Sequence, residues 1–157
     1  MPMMKRSNGK LQVLKSPIGT VRVKAVCDYL VNDGKRGLRH TAYYTILSDG
    51  TIRVDNELTK LGLPASSLQL RIGARLPLKK AFDRVQYAAL GPYENYDMRK
   101  MSVRYGRYES TAEAMMGHYV RPQECGNRSG LEWIAMQNAK GIGLVVISDE
   151  TGHGSVM

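Results

Sequence analysis

The chain has 157 residues, 43% of them apolar and 24% charged, and its formal net charge is +9. This length suits one domain of ordinary size with one core, and it excludes a complete barrel enzyme. The composition is that of a globular protein, and no run approaches the roughly 18 apolar residues that a membrane helix needs. A chain this basic makes a nucleic acid the first partner to consider.

The distribution of the positive charge disfavours nucleic-acid binding. Lys and Arg are concentrated in residues 1–45 and 71–107, whereas residues 108–157 carry more acidic than basic side chains. The basic residues occur singly or in pairs, with neither a basic helix nor the aromatic strand motif of an RNA-binding module. A weak nucleic-acid binder driven by charge therefore stays open only as an alternative function.

The cysteines and histidines form no local metal motif. They are Cys27, Cys125, His40, His118 and His153, and none of them stands in a C-x-x-C, H-x-x-x-H or H-E-x-x-H spacing. The N-terminus has the charge of a signal peptide's first section but lacks the apolar stretch that follows it. We therefore expect no metal site in this chain, and a cytoplasmic protein with reduced thiols.

Alternation of apolar and polar residues predicts strands in the first half of the chain. The segment from Thr20 to Val31 has the period of two that is typical of a half-buried strand. Tyr43 to Asp55 predicts a hairpin, because Asp49-Gly50 supplies a positive-φ turn between two apolar runs. Residues 32–39, rich in Gly and charge, are expected to be a surface loop. Residues 1–10 are expected to be irregular or disordered.

Short strands are also predicted in the second half. Alternation indicates strands over residues 72–78 and 85–89, and Gly91-Pro92 ends the second of them. Residues 131–137 and 141–148 predict another strand pair. Each strand is short and each break carries Gly, Pro, Asn or Asp, which is the spacing of an antiparallel sandwich.

One helix of one or two turns is predicted over residues 110–116, with Ser110 as N-cap and Glu113 closing a capping box. The predicted fold class is all-β, an antiparallel β-sandwich over residues 11–157 that is incomplete at its C-terminus. The predicted core consists of Val21, Val23, Cys27, Ile52, Val54, Ile72, Leu76, Val85, Tyr87, Ile134, Val145 and Ile147.

Two polar loops between predicted strands hold the candidate functional residues. These are Tyr93, Glu94, Asn95 and Tyr96 in the first loop, and Glu124, Asn127 and Arg128 in the second. Because Glu94 and Glu124 are each followed by Asn and Arg, we expect the loops to meet in one polar rim.

The carboxylates in these loops allow three interpretations. Glu94 and Glu124 can pair with Arg99, Arg121 or Arg128 and hold the loops in place. Alternatively, Glu94, Asp97 and Glu124 can contact a sugar, or two of them can serve as a glycosidase's acid and nucleophile. Pairing is favoured, because sequence spacing alone does not place two carboxylates across a sugar bond.

The same loops carry a resemblance to a known family. Leu90–Arg99, preceded by Arg71–Pro77 and followed by Tyr119–Arg128, closely resembles the C-terminal small-chain domain of β-galactosidases in glycoside hydrolase family 2. The resemblance implies a β-supersandwich of the galactose-mutarotase type. It also implies a non-catalytic portion of a lactose-cleaving enzyme, or a small subunit that completes one.

The resemblance places the catalytic glutamates, with magnesium and sodium ions, in a separate barrel domain outside these 157 residues. It therefore implies no catalytic residue and no cofactor in this chain. The implied partners are the catalytic barrel domain or large subunit and a β-galactoside sugar, with the seven loop residues as candidates for the active-site mouth or the interface. A free-standing carbohydrate-binding or mutarotase-like module is the alternative.

The sequence departs from the family pattern at two positions. Met98 stands where the family loop usually has Asp, and Asp97 comes one residue early. In some members a Trp between the last two strands stacks on the leaving sugar, and Ala139 occupies that position here. The sequence therefore gives no basis for that stacking contact.

Overall fold

The chain divides into two compact units, Met1–Gly73 and Ala74–Met157, in a computed structural model that describes residues 4–66, 73–121 and 123–156. Each unit contains one four-stranded antiparallel sheet. The predicted all-β fold class with antiparallel strand pairing is confirmed: the described residues form eight strands in two sheets and a single helix. That helix has four residues, too few to cross a membrane. The single domain over residues 11–157 stays a prediction, and the one buried apolar cluster among the described residues lies in the second unit.

The first unit is a simple meander. Its strands are β1 (Lys5–Leu14), β2 (Thr20–Leu30), β3 (Gly37–Leu47) and β4 (Ile52–Leu61), and they pair in that order. The predicted strand at 20–31 and the predicted hairpin are confirmed, with Gly50 at φ 87° and Ile46 opposite Ile52.

The expectation of an irregular segment over residues 1–10 is wrong from Lys5 onward. Strand β1 pairs with β2 along most of its length, and the register shifts between Ser7 and Lys10. Asn8, with φ 52°, lies within this irregularity. A bulge of this kind interrupts the period of two, which explains why alternation did not reveal the strand. Strand β3 also begins inside the predicted loop, at Gly37.

One face of the first sheet is apolar and exposed. The register places Val13, Val23, Tyr44 and Val54 side by side across the four strands. The large apolar side chains exposed on this face are Leu11, Val13, Val21, Tyr44, Ile46, Ile52, Val54 and Leu58. Among the described residues of this unit, Ala42 is the one buried apolar side chain.

The second unit has a packed core. Its elements are β5 (Arg84–Gly91), β6 (Arg104–Thr111), α1 (Ala112–Met115), β7 (Arg128–Gln137) and β8 (Gly143–Gly154), and the sheet order is β6-β5-β7-β8. The buried cluster consists of Val85, Tyr87, Ala89, Met115 and Val156. It includes three alternate residues of β5, an inner strand of this sheet.

Three predictions in the second unit need correction. Residues 73–78 form no strand, because Pro77 lacks a backbone donor and the segment has no neighbouring strand. Strand β6 was not predicted, since it is a polar edge strand without clear alternation. The helix is confirmed as a single turn, but Thr111 rather than Ser110 is its N-cap, with the Ala114 N–H donating to Thr111 Oγ1 at 3.1 Å.

The predicted core is only partly correct. Val85 and Tyr87 are buried, and Val23, Cys27 and Ile134 are half-buried. Six predicted core residues are exposed and were therefore placed wrongly: Val21, Ile52, Val54, Leu76, Val145 and Ile147. Alternation identifies the apolar face of a strand but does not show whether that face is covered. Ile72 lies outside the described residues.

Candidate functional site

The two predicted polar loops meet at one end of the second sheet. Strand β5 ends where β7 begins, because the two strands are antiparallel neighbours. The Asn95 N–H donates to Asn127 O at 2.8 Å, and Asn127 Nδ2 donates to Asn95 O at 2.6 Å. The expectation that these loops form one polar rim is therefore confirmed.

Asn95 fixes the first loop from within. Its side chain is fully buried, and Nδ2 donates to Leu90 O at 2.9 Å and to Tyr93 O at 3.1 Å. Its Oδ1 accepts from the Ser129 N–H at 2.9 Å. Every polar group of this amide has a hydrogen-bond partner within the protein. These buried hydrogen bonds hold the loop in one defined conformation.

Glu94 is held by both of its oxygens. Oε1 accepts from Arg99 Nη2 at 2.5 Å, and Oε2 accepts from the Gly126 N–H at 2.8 Å. Arg99 also donates to the Tyr119 hydroxyl at 3.1 Å and lies 5.3 Å from the centroid of the Tyr96 ring. The predicted pairing of Glu94 with an arginine is confirmed, and the same carboxylate links the two loops.

Arg128 joins three chain segments and is almost completely buried, at 4% exposure. Its Nη1 donates to Met115 O at 3.1 Å and to Gly126 O at 2.9 Å, and its Nη2 donates to Pro92 O at 3.0 Å. The guanidinium lies 5.9 Å from the centroid of the Tyr87 ring, whose hydroxyl also donates to Pro92 O. Arg128 therefore ties both loops and the helix to the core.

Tyr96 and Glu124 complete the rim. Burial raises the pKa of the Tyr96 hydroxyl, and the negative charges of Glu94 and Glu124 raise it further. Tyr96 therefore stays protonated at neutral pH. Glu124 lies at the exposed surface of the second loop.

A further polar group lies beside the rim, around His153. Nδ1 of His153 is 3.2 Å from Ser129 Oγ and 3.3 Å from Asn127 Nδ2. Its Nε2 is 3.8 Å from a carboxylate oxygen of Asp97. Ser129 is only 1% exposed, so this Ser-His-Asp line has no accessible hydroxyl with which to attack a substrate.

The displaced aspartate of the first loop has partners of its own. Asp97 pairs with Lys100 Nζ at 2.7 Å, and hydrogen bonding to Lys100 lowers the pKa of the Asp97 carboxyl. Met98, which stands at the family's Asp position, is 98% exposed. The Asp97 carboxylate is thus part of a local ion pair at the exposed surface of the first loop.

The structure separates the seven candidate residues by accessibility. Asn95, Asn127 and Arg128 are buried, Glu94 and Tyr96 are half-buried, and Tyr93 and Glu124 are exposed. Sequence reasoning missed His153 and Ser129, because only the register of β7 with β8 brings them together. A role of the seven in lining a substrate mouth or an interface stays a prediction.

Metal ligation has no candidate cluster in the part of the chain that the structure describes, where no three His, Cys, Asp or Glu side chains come together. His118 is exposed, and Trp133 is half-buried within β7, opposite Ile147.

Comparison with known proteins confirms the resemblance. The family described as Beta galactosidase small chain matches residues 4–153. A Beta-galactosidase of Priestia megaterium is 29% identical over 105 residues, which are 66% of this chain and 10% of that protein. One of Halalkalibacterium halodurans is 33% identical over 110 residues, 68% of this chain and 11% of that protein. One of Photobacterium profundum is 28% identical over 118 residues, 75% of this chain and 11% of that protein. The chain spans about a tenth of the length of these relatives.

Proposed function

We propose, from the premise that the chain belongs to the β-galactosidase small-chain family, that it is the accessory C-terminal portion or small subunit of a β-galactosidase. In this role it lines the mouth of the active site and supports the assembly, while a catalytic barrel on another part of the enzyme hydrolyses terminal β-galactosides such as lactose. The magnesium and sodium ions of the enzyme would belong to that barrel, and this chain would hold no cofactor.

The observation that carries the proposal is the rim of the second unit. Buried groups fix its two loops to each other, so the exposed Tyr93 and Glu124 project from a preformed support. A preorganised surface loses less conformational entropy when it meets a partner or a sugar. Tyrosine at such a position supplies both an apolar ring and a hydroxyl, which suits contact with a protein or a sugar.

A catalytic role for the rim itself is not proposed. A retaining glycosidase needs one carboxylate as nucleophile and another as acid, about 5 Å apart in a cleft. Both oxygens of Glu94 already accept hydrogen bonds, from Arg99 and from the Gly126 N–H, so this carboxylate serves to hold the two loops together. We expect no hydrolysis of a nitrophenyl galactoside by the chain alone. Turnover that disappears in Glu124→Gln would contradict this.

Complementation tests the accessory role. The β-galactosidase of Halalkalibacterium halodurans, shortened by the segment that matches this chain, would be mixed with the purified chain, and galactoside hydrolysis would be measured. We expect the mixture to be at least about tenfold more active than either part alone, which corresponds to about 1.4 kcal/mol of transition-state stabilisation. Tyr93→Ala should reduce the gain, and Tyr105→Ala, an exposed tyrosine on β6, serves as the matched control.

Two other outcomes would replace the proposal. Binding of lactose or galactose by the isolated chain at millimolar concentration or better, without complementation, favours a free-standing carbohydrate-binding module. Retention on heparin or DNA that falls steeply with salt favours the nucleic-acid alternative, because phosphate neutralisation releases counterions.

A further inference from the structure

A cavity of about 340 Å³ lies beside the buried Arg128 in the second unit. Its wall combines the side chains of Tyr93, Met115 and Met116 with the charged groups of Glu94 and Arg128. This volume is in the lower part of the range for small-molecule sites, and an apolar wall with a few polar groups is typical of them.

Arg128 has donors that the described residues leave without acceptors. A guanidinium carries five N–H groups. Three of them donate to the carbonyl oxygens of Pro92, Met115 and Gly126. The buried Nε–H has no acceptor among the described residues, and one N–H of Nη2 is also left over. A carboxylate oxygen is a matching acceptor for the unpartnered Nε–H of a guanidinium.

The charge of Arg128 is also uncompensated within the described residues. Its three acceptors are neutral carbonyls, and it takes part in no ion pair there. Glu94, in the same wall, is already paired with Arg99. Buried charges are normally paired, because removing an ion from water without a counter-charge is costly. An anion bound in the cavity would supply the counter-charge that this guanidinium lacks among the described residues.

We propose that this cavity binds a small monocarboxylate with an apolar body. The carboxylate would pair with the free donors of Arg128, and the body would lie against Tyr93 and the methionines. Inorganic phosphate has no apolar body to lie against Tyr93 and the methionines, so it should bind more weakly. Because Nε is shielded from solvent, a carboxylate reaches it only when the neighbouring side chains move.

Benzoate is the probe, and benzamide, with the same shape and no charge, is its control. The intact chain would be titrated by calorimetry while the Nε–H resonance of Arg128 is followed by NMR. We expect saturable benzoate binding with a Kd on the order of 1 mM and a shift of that resonance, with benzamide and inorganic phosphate at least about tenfold weaker.

The variants leave Arg128 in place, because its loss would release three chain segments. Ala114→Leu fills part of the cavity from α1 and should weaken benzoate binding at least about tenfold. Glu113→Leu, at the adjacent exposed helix position that does not line the cavity, should bind within about twofold of the native chain. Both replacements introduce the same side chain into the same helical turn.

Three results would overturn this site. They are no saturable benzoate binding up to about 20 mM, equal binding of benzamide or phosphate, and unchanged binding by Ala114→Leu. The titration uses the isolated chain, so its outcome is independent of complementation.

Discussion

The two units have the same number of antiparallel strands but differ in how the side chains are buried. The second unit buries Val85, Tyr87 and Ala89 on an inner strand. Buried amide and guanidinium side chains donate hydrogen bonds to the backbone carbonyls of its loops. The first unit buries little besides Ala42, Gly37 and Asp28, and its apolar face is exposed. Both units thus have regularly paired strands, but among the described residues only the second has a packed core.

This difference bears on where a precise site can form. In the second unit, the rim is fixed by groups that are buried against a core, so the positions of its exposed residues are defined. In the first unit, hydrogen-bonded hairpins define the sheet, while its apolar side chains gain little from burial. We therefore expect substitutions at matched residue types to have larger effects in the second unit.

The largest contrast should appear at two tyrosines. Tyr87 is 1% exposed, and the centroid of its ring lies 5.5 Å from that of Tyr108. Tyr44, on the first sheet, is 36% exposed. Tyr87→Ala should lower the free energy of unfolding by about 3–5 kcal/mol, and Tyr44→Ala by about 1 kcal/mol or less. Urea unfolding followed by circular dichroism measures both. An equal cost at Tyr44 would mean that the exposed face is covered in solution.

Two asparagines offer the next contrast. Asn95→Ala leaves the Leu90 and Tyr93 carbonyls and the Ser129 N–H without their buried partner, so it should cost about 3 kcal/mol. Asn56 is exposed, and its side chain hydrogen-bonds to His40, with 2.8 Å between Asn56 Oδ1 and His40 Nε2. Asn56→Ala should cost about 0.5 kcal/mol.

Hydrogen exchange of the Asn127 and Ser129 amides shows whether the loss is local to the rim. Faster exchange there in Asn95→Ala, with unchanged exchange in the first sheet, is the expected pattern. Uniform exchange changes across both units would contradict a rim held by Asn95.

Sequence reasoning succeeded where the signal is local. Alternation predicted β2 and β5, and Asp49-Gly50 predicted the turn between β3 and β4. Both signals are local, because strand period and turn geometry depend on neighbouring residues. The pairing of the two loops was also predicted, since their acids, amides and arginines have few other ways to be satisfied.

The rest depended on distant parts of the chain. His153 reaches Ser129 through the β7–β8 register, and Arg128 finds acceptors at Pro92 and Met115, which no spacing rule connects. The exposed Val54 and Ile147 have the alternation of core residues. Only the three-dimensional arrangement shows whether an apolar face is covered, so the core prediction failed at these positions.

Two glycines with positive φ give a smaller contrast. Gly50 has φ 87° with nothing within 4 Å of an added Cβ, whereas Gly126 has φ 75° and its Cβ would lie 2.9 Å from Met115 O. Gly50→Ala should cost about 1 kcal/mol from backbone strain alone, and Gly126→Ala about 2 kcal/mol or more because the rim must also shift. Thermal unfolding measures the loss of stability caused by each substitution. Equal losses would show that the rim accommodates the added Cβ of Gly126→Ala without strain.

The smallest expected effect is a pH dependence of the first unit. The Asp28 carboxylate accepts from Arg39 Nε at 2.7 Å, from Arg39 Nη2 at 3.0 Å and from Asn8 Nδ2 at 3.1 Å. The hydrogen bonds from Arg39, followed by the one from Asn8, lower the pKa of Asp28 from 3.8 to about 2. In the unfolded chain, the carboxyl takes up its proton at the higher pKa. The stabilisation is therefore complete above about pH 4 and is lost as the pH falls through about 2.

An NMR titration of the Asp28 carboxyl carbon measures this pKa directly. Arg39→Gln removes the main cause and should return the pKa of Asp28 toward 3.8. Arg53→Gln, on the same sheet and next to Asp55, should leave the Asp28 titration unchanged and is the matched control. An Asp28 midpoint near 3.8 in the native chain would show that the ion pair does not persist in solution. The first unit would then lack the ion pair by which the half-exposed Arg39 of β3 compensates the buried Asp28 of β2, and its contrast with the rim of the second unit would be sharper still.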